Sequence, residues 1–146
     1  MLALVQYFAI AATTGFAGAA VYINLVEHPA RMGCSTELAA TVWAPSYKLA
    51  TYMQAPLAVI GSLGGVAACL LGAGVMWLVG ALCIFAVIPF TLIVIFPTNK
   101  RLLAPDRDPA SAETRELLVK WGQLHAVRSV LGFVAGSIYI WQLVGR

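Results

Sequence analysis

The sequence predicts an all-α fold, an integral membrane four-helix bundle built as a single domain. Of its 146 residues, 61% are hydrophobic and only 10% are charged, whereas soluble domains carry roughly 25% charged residues. No charged side chain occurs from Met1 to Val26, and none occurs in the 51 residues from Leu49 to Asn99. Because about 20 apolar residues cross the hydrocarbon core, the longer stretch predicts two membrane spans and the shorter one predicts a third.

The first span is expected at about residues 2–26. It should end at Glu27-His28-Pro29, because a proline disfavours helical backbone in the residue before it. A cleaved signal peptide is the alternative, since Ala17-Gly18-Ala19 offers small residues of the kind found at cleavage sites. The apolar run is long and no Lys or Arg precedes it, which favours a retained helix.

The second and third spans are expected at about residues 48–71 and 75–96. Leu71-Gly72-Ala73-Gly74 separates them as the concentrated helix-breaking signal of the long run, and Pro97 should end the third span. Both spans carry small residues, and Gly61-x-x-x-Gly65 in the second is spaced for close helix packing.

The fourth span begins with an amphipathic stretch at about residues 111–120. Ser111 is expected to cap the helix, and acidic side chains occupy its first turns. The lipid-embedded part is expected at about residues 121–143, where Gly132-x-x-x-Gly136 repeats the close-packing spacing.

The basic residues predict the orientation of the bundle in a plasma or inner membrane. The two longer connections and the helix starts after them carry seven basic residues, and the opposite side carries only Arg146. By the positive-inside rule, both termini lie outside and the long loops lie in the cytoplasm. The nine basic residues of the chain are too scattered for a nucleic-acid surface. Cys34, Cys69 and Cys83 form no C-x-x-C pair, so neither a disulfide nor a cysteine metal site is expected.

Polar side chains at the cytoplasmic ends of the spans form the candidate site. Asn24, Glu27 and His28 lie at i, i+3 and i+4 and share one helix face. Trp121, His125 and Arg128 lie at i, i+4 and i+7 on the fourth span, and 17 uncharged residues follow Arg128. Since an arginine inside a span is costly unless it turns inward, Arg128 should have a buried partner, for which Glu27 is expected.

Further polar and aromatic residues are expected at the same membrane level. Thr98 and Asn99 directly follow the third span, and Tyr47 or Tyr52 lies at the start of the second. Trp43 and Trp121 are typical of membrane interfaces and could also stack on an aromatic ligand. The predicted arrangement is a polar cluster above an apolar cavity, where a lipophilic molecule would meet titratable groups.

Three interpretations of the cluster remain open. It could be a structural network of paired charges that pins the helix ends. It could be a catalytic or ligand-binding pocket, because ionisable residues inside membranes are usually functional. The third interpretation is a metal site made by His28, His125 and Glu27, a ligand set known for iron or zinc, although no H-x-x-H or E-x-x-H spacing supports it.

The motifs Pro97-Thr98-Asn99-Lys100-Arg101-Leu102 and Trp121-Gly122-Gln123-Leu124-His125-Ala126-Val127-Arg128 resemble the anthrone oxygenase-like family of small four-span membrane proteins. The first span, with its Glu27-His28-Pro29-Ala30-Arg31 turn, is also similar to bacterial members. The resemblance implies oxidation of a polyketide anthrone to an anthraquinone by molecular oxygen, with no organic cofactor.

If the chain catalyses the family's reaction, single residues of the polar cluster can be given roles in it. His125 or His28 would remove a proton from the activated ring methylene, while Arg128 and Asn99 would stabilise the resulting enolate.

The alternative function is a non-catalytic accessory subunit of a larger membrane complex, such as a respiratory one, with the cluster holding a lipid or quinone headgroup. The chain could also associate with copies of itself as a homo-oligomer. Asn24, Glu27, Trp121, Trp43 and Tyr52 would contact the bound molecule.

Overall fold

The computed structural model describes residues 1–145, and within them four long helices and no strand occur. The helices are α1 (Leu2–Met32), α2 (Thr36–Ala73), α3 (Val75–Leu102) and α4 (Ala112–Val144), each long and apolar enough to cross a membrane. They run alternately up and down, and α1 packs against α2 and α4 while α3 packs against the same two helices. The prediction of an all-α membrane bundle is confirmed. Arg146, used above to assign orientation, lies outside the described residues.

Apolar side chains fill the bundle in three layers. The layer beside the α1–α2 and α3–α4 connections contains Trp43, Leu118 and Trp121. The central layer is built around Phe16 and Ile84, and the far layer contains Trp77 and Tyr139, among others. Large apolar side chains are also exposed along all four helices, as the lipid-facing surface of a membrane protein requires.

Close contacts between helices explain the small residues of the two glycine motifs. A Cβ atom on Gly132 would lie 2.8 Å from Cδ1 of Phe16 on α1, and a Cβ atom on Gly61 would overlap Thr13, also on α1. Gly61 and Gly132 therefore let α2 and α4 approach the first helix, whereas a Cβ atom on Gly65 would overlap Tyr139 of α4.

Two helices continue past the prolines at which the sequence predicts their ends. A π-helical turn, Ile23–Glu27, precedes Pro29 in α1, and a second, Thr91–Ile95, precedes Pro97 in α3. A proline has no N–H to donate and its ring presses on the carbonyl four residues earlier. That carbonyl falls within the wider turn in both cases, which lets the helix continue. The predicted ends at these two prolines are therefore wrong.

The second helix also begins earlier than predicted. It starts at Thr36 rather than near Lys48 and contains Pro45 and Pro56. Ser35 is its N-cap, and the Ser35 hydroxyl accepts a hydrogen bond from the backbone N–H of Leu38 at 3.3 Å.

The other helix ends follow the sequence signals. Gly72 and Gly74, with φ of 85° and 105°, turn the chain between α2 and α3, a conformation that side chains other than glycine rarely adopt. Ser111 caps α4, because its hydroxyl accepts a hydrogen bond from the backbone N–H of Thr114 at 3.2 Å. The turn at Gly72 and the cap at Ser111 are thus confirmed.

Basic side chains fasten the helix ends at the level of the candidate site. Arg115 of α4 donates hydrogen bonds to the backbone carbonyls of Met32, the last residue of α1, and of Cys34 just after it. Arg107 donates to the carbonyl of Leu102 at 2.9 Å, at the end of α3. Both satisfy carbonyls that a helix C-terminus leaves unpaired, so residues interpreted as orientation signals also hold the bundle end together.

Candidate functional site between helices α1, α2 and α4

The side-chain amide of Asn24 joins α1 to α4 through three hydrogen bonds. Its Nδ2 donates to the backbone carbonyl of Gly122 at 2.9 Å, which turns Oδ1 toward His125 and Ser129. Oδ1 lies 2.7 Å from Nδ1 of His125 and accepts the Ser129 hydroxyl at 2.6 Å. Because an amide oxygen only accepts, His125 Nδ1 carries the hydrogen, and in the neutral ring Nε2 carries the lone pair.

The local sequence of α4 explains this arrangement. Gly122, His125 and Ser129 lie at i, i+3 and i+7, so all three face Asn24. Gly122 also makes room for a second ring, because a Cβ atom there would lie 2.6 Å from Cδ2 and Nε2 of His28. The helix spacing and Gly122 thus bring the backbone of α4 against Asn24 and His28 of α1.

Arg128 has an uncharged partner. Its guanidinium donates a hydrogen bond to Oε1 of Gln54 on α2 at 2.7 Å, and its Cζ lies 5.5 Å from the centre of the Phe16 ring. Among the described residues, no carboxylate forms an ion pair with Arg128. Gln54 is 1% exposed, and its Nε2 has no hydrogen-bond partner within the described part of the chain.

The predicted pairing of Glu27 with Arg128 is wrong. Glu27 forms an ion pair with Arg31, four residues along the same helix, and it also accepts the hydroxyl hydrogen bond of Ser46 from α2. Arg31 is buried, at 6% exposure. The two charges lie one helical turn apart, so the helix alone brings them within ion-pair distance. Arg128 is left as the cation at the site without a described acid partner.

A small cavity of about 10 Å³ lies among these groups. Its lining includes Glu27 and Arg31 from α1, Gln54 from α2, and His125 and Arg128 from α4. A space of this size suits a water molecule, whereas a fused-ring ligand needs more room. The cavity therefore marks where a reacting atom could meet His125 and Arg128, and the body of a ligand has to lie elsewhere.

The tryptophans predicted to stack on a ligand stack on protein rings. Trp121 lies 4.8 Å from the His125 ring and 5.2 Å from the His28 ring, measured between centroids. Trp43 lies parallel to Tyr47 at 5.1 Å and edge-on to Trp121 at 5.7 Å. Both tryptophans are buried. Trp121 packs against both histidine rings and also forms part of the cavity wall, and Trp43 supports Trp121 from behind.

Two other predicted residues lie away from the cavity. Tyr52 is 66% exposed on the outer surface of α2, while Tyr47, the other candidate, lines the cavity. The two tyrosines are five positions apart, which puts them on different faces of the helix. Asn99 is 1% exposed and does not line the cavity. Asn99 and Gln54 are the amides deepest in the protein at this end, and Gln54 is the one that reaches Arg128.

His28, His125 and Glu27 do not come together as a metal-ligand set. Among the described residues, no group of three His, Cys, Asp or Glu side chains is placed to hold a metal ion. The reason is geometric: Glu27 turns to Arg31 and Ser46, and His125 turns its Nδ1 to Asn24. His28 packs between Trp121 and the backbone of Gly122.

Four residues of the site were not predicted from the sequence: Gln54, Arg31, Ser46 and Ser129. Gln54 carried a usable signal, because it is the only amide side chain between Lys48 and Asn99 in an otherwise apolar stretch. Arg31 lies four residues after Glu27, which is the spacing of a helical ion pair. The hydroxyls of Ser46 and Ser129 carried no such signal, since serine is common in membrane helices.

Comparisons with known proteins agree with the family motifs. A family model described as anthrone oxygenase matches residues 43–138, a segment that contains Gln54, His125 and Arg128 but begins after Asn24 and Glu27. The curated anthrone oxygenase tpcL of Aspergillus fumigatus is 37% identical over 76 residues, which cover 50% of this chain and 47% of that protein. The match thus spans about half the length of each protein. No solved structure matches the chain.

Proposed function

The chain belongs to the anthrone oxygenase family, and on that basis we propose that it is an oxygenase for lipophilic aromatic substrates of the anthrone type. The observation that supports the proposal is the shared cavity of His125 and Arg128. His125 is held by Asn24 with Nδ1 protonated, and Arg128 has no described acid partner. A base beside an unpaired cation suits a reaction that passes through an anion.

The first step is removal of a proton from the ring methylene. Nε2 of His125 takes the proton, because Nδ1 is committed to Asn24. The electron pair of the C–H bond moves into the ring system and places negative charge on the ring oxygen. Arg128 and the Nε2 donor of Gln54 then stabilise that oxyanion, and donors already in position gain most when the charge develops.

The second step consumes molecular oxygen. The electron-rich anion transfers one electron to O₂, and the substrate radical and superoxide combine to form a C–O bond. Protonation gives a hydroperoxide. Loss of the remaining C–H proton, with cleavage of the O–O bond and departure of water, leaves a carbonyl group. The overall change is CH₂ + O₂ → C=O + H₂O, with the substrate C–H bonds supplying all the electrons.

The test measures oxygen uptake and quinone absorbance with anthrone and the full chain in lipid nanodiscs, relative to empty nanodiscs. We expect catalysis above the background, and a loss of about 100-fold on His125→Gln, the size typical of a removed general base. Gln123→Ala is the matched control, because Gln123 is exposed on the same helix. A wild-type rate equal to that of empty nanodiscs would overturn the proposed activity, and an unchanged rate for His125→Gln would overturn the proposed base.

The proposed orientation places the site on the cytoplasmic side of a plasma or inner membrane. Cys34 is exposed in the connection between α1 and α2, at the site end of the bundle. A membrane-impermeant maleimide added to intact bacterial cells should therefore leave Cys34 unlabelled, whereas inverted membrane vesicles should allow labelling. The opposite labelling pattern would reverse the orientation.

The accessory-subunit hypothesis leads to a different expectation. Gentle solubilisation followed by sizing should give a monomer or small homo-oligomer if the chain is the oxygenase itself. Comigration with a larger redox complex, together with no oxygen uptake by the isolated protein, would instead support the subunit hypothesis.

A further inference from the structure

A lipid-facing groove between α2 and α3 adjoins the candidate site. It has about 210 Å³ of open space. Its walls include Ala55 on α2 and Val87 and Leu92 on α3, and Leu92 is 63% exposed at the outer edge. The inner end is formed by Gln54 and Arg128, which also line the small cavity beside His125. The groove therefore leads from the lipid-facing surface to the residues of the proposed reaction.

The walls of the groove are apolar even where threonines occur. The hydroxyl of Thr51 donates to the carbonyl of Tyr47 at 2.8 Å, and that of Thr91 donates to the carbonyl of Val87 at 2.7 Å. Both hydroxyls are satisfied by their own helices. A molecule in the groove thus meets aliphatic groups and the rings of Phe16 and Phe96 along its length. Tyr47 lines both the groove and the small cavity, as Gln54 and Arg128 do.

The inner end of the groove has the opposite character. Arg128 carries a positive charge without a described carboxylate partner, and its Nε atom is buried without a hydrogen-bond acceptor in the described part of the chain. Gln54 adds a second buried donor, Nε2. Burying a cation without a counter-charge is costly, so an anionic oxygen at this end would be strongly favoured.

We propose that the groove binds flat, lipid-soluble aromatic molecules with an ionisable ring hydroxyl, which enter sideways from the bilayer. The rings lie between α2 and α3, and the ring oxygen reaches Arg128 and Gln54. This route rests on the proposed function, to which it adds the path by which the aromatic molecule reaches Arg128 and Gln54. It concerns binding, so it can be tested without turnover.

The experiment measures binding of a dihydroxyanthraquinone to the full chain in lipid nanodiscs by its absorbance and fluorescence. Ala55→Trp fills the groove from α2 and should weaken binding at least about tenfold, because an added ring competes for the same space. The matched control is Ala11→Trp, at another exposed alanine in a different lipid-facing groove that Gln6 and Tyr7 also line. It should change binding by less than about twofold. Equal weakening by both variants, or no weakening by Ala55→Trp, would overturn the proposal.

Three further measurements test the same proposal. Leu92→Trp narrows the groove from α3 and should also weaken binding, which covers the case in which Ala55→Trp does not fold. Arg128→Gln should remove the preference for the dihydroxy compound over its dimethoxy ether, since only the former can present an anionic oxygen. Oleate is the competitor in the last measurement. If oleate displaces the dye when its concentration is lower than that of the dye, the groove binds a lipid carboxylate, and the proposed ligand class is overturned.

The binding result and the oxidation result can fail separately. Loss of dye binding in Ala55→Trp with no oxygen uptake by the wild type would support the groove and overturn the proposed reaction. Anthrone oxidation that persists unchanged in Ala55→Trp, with unchanged dye binding, would support the reaction and overturn the groove.

Discussion

Replacing Asn24 with alanine should disable His125 while leaving its imidazole in the chain. Three hydrogen bonds converge on the Asn24 amide, to Gly122, His125 and Ser129. A buried hydrogen bond contributes about 1 kcal/mol net, so the variant should lose about 3 kcal/mol of stability. The larger effect should be on turnover, because His125 loses the acceptor that fixes its tautomer and its ring orientation.

The matched control is Ser129→Ala, which removes one hydrogen bond from the same oxygen and leaves the His125 bond in place. We expect a loss of about 1 kcal/mol of stability and kcat within about threefold of the wild type, against a loss of about 100-fold for Asn24→Ala. The assays are the melting temperature in nanodiscs, kcat for anthrone oxidation, and the ¹⁵N spectrum of the labelled imidazole. The wild-type spectrum should show the Nδ1–H tautomer and Asn24→Ala should show a mixture. An unchanged spectrum and an unchanged kcat in Asn24→Ala would refute the reasoning.

Three further substitutions test other contacts of the site. Gly122→Ala places a methyl group 2.6 Å from the His28 ring and should cost about 1–3 kcal/mol, with a lower melting temperature that the added change His28→Ala partly restores. Arg128→Gln should lower kcat/KM about 100-fold through loss of the oxyanion partner, and a normal value in steady-state kinetics would exclude that role. Glu27→Gln leaves the buried Arg31 without its carboxylate and should cost about 3 kcal/mol, and a melting temperature equal to that of the wild type would contradict a stabilising pair.

The sequence predicted the fold class because hydrophobicity alone decides whether a chain enters a membrane. The charge-free stretches predicted the first three helices, and the turn at Gly72 and Gly74 followed from residues that break helices. The helix ends at Pro29 and Pro97 were wrong because a local rule cannot foresee a π-helical turn. The wider turn moves the carbonyl four residues before the proline away from the proline ring, and its hydrogen bonds follow the π-helical pattern in place of the α-helical one.

Part of the geometry of the candidate site could be predicted. Helical spacing correctly put His125 and Arg128 on one face, and both line one cavity. The pairing of Arg128 with Gln54 could not be read from the sequence, because Gln54 lies 74 residues away on another helix and carries no charge, although it stands out as a single amide in an apolar stretch. Tyr52 and Tyr47 were equivalent on the sequence, and the rotation of α2 against its neighbours brought only Tyr47 to the cavity.

By itself the sequence determined that this protein is a membrane bundle, which helix faces carry polar groups, and which family motifs it contains. Those properties depend on composition and on local spacing, and both can be read without knowing the neighbours. The tertiary structure decided that Glu27 pairs with Arg31, that Asn24 fixes His125, and that Arg128 faces a groove open to lipid. These depend on how four helices rotate and pack against one another, and the packing is set by contacts between residues far apart in the chain.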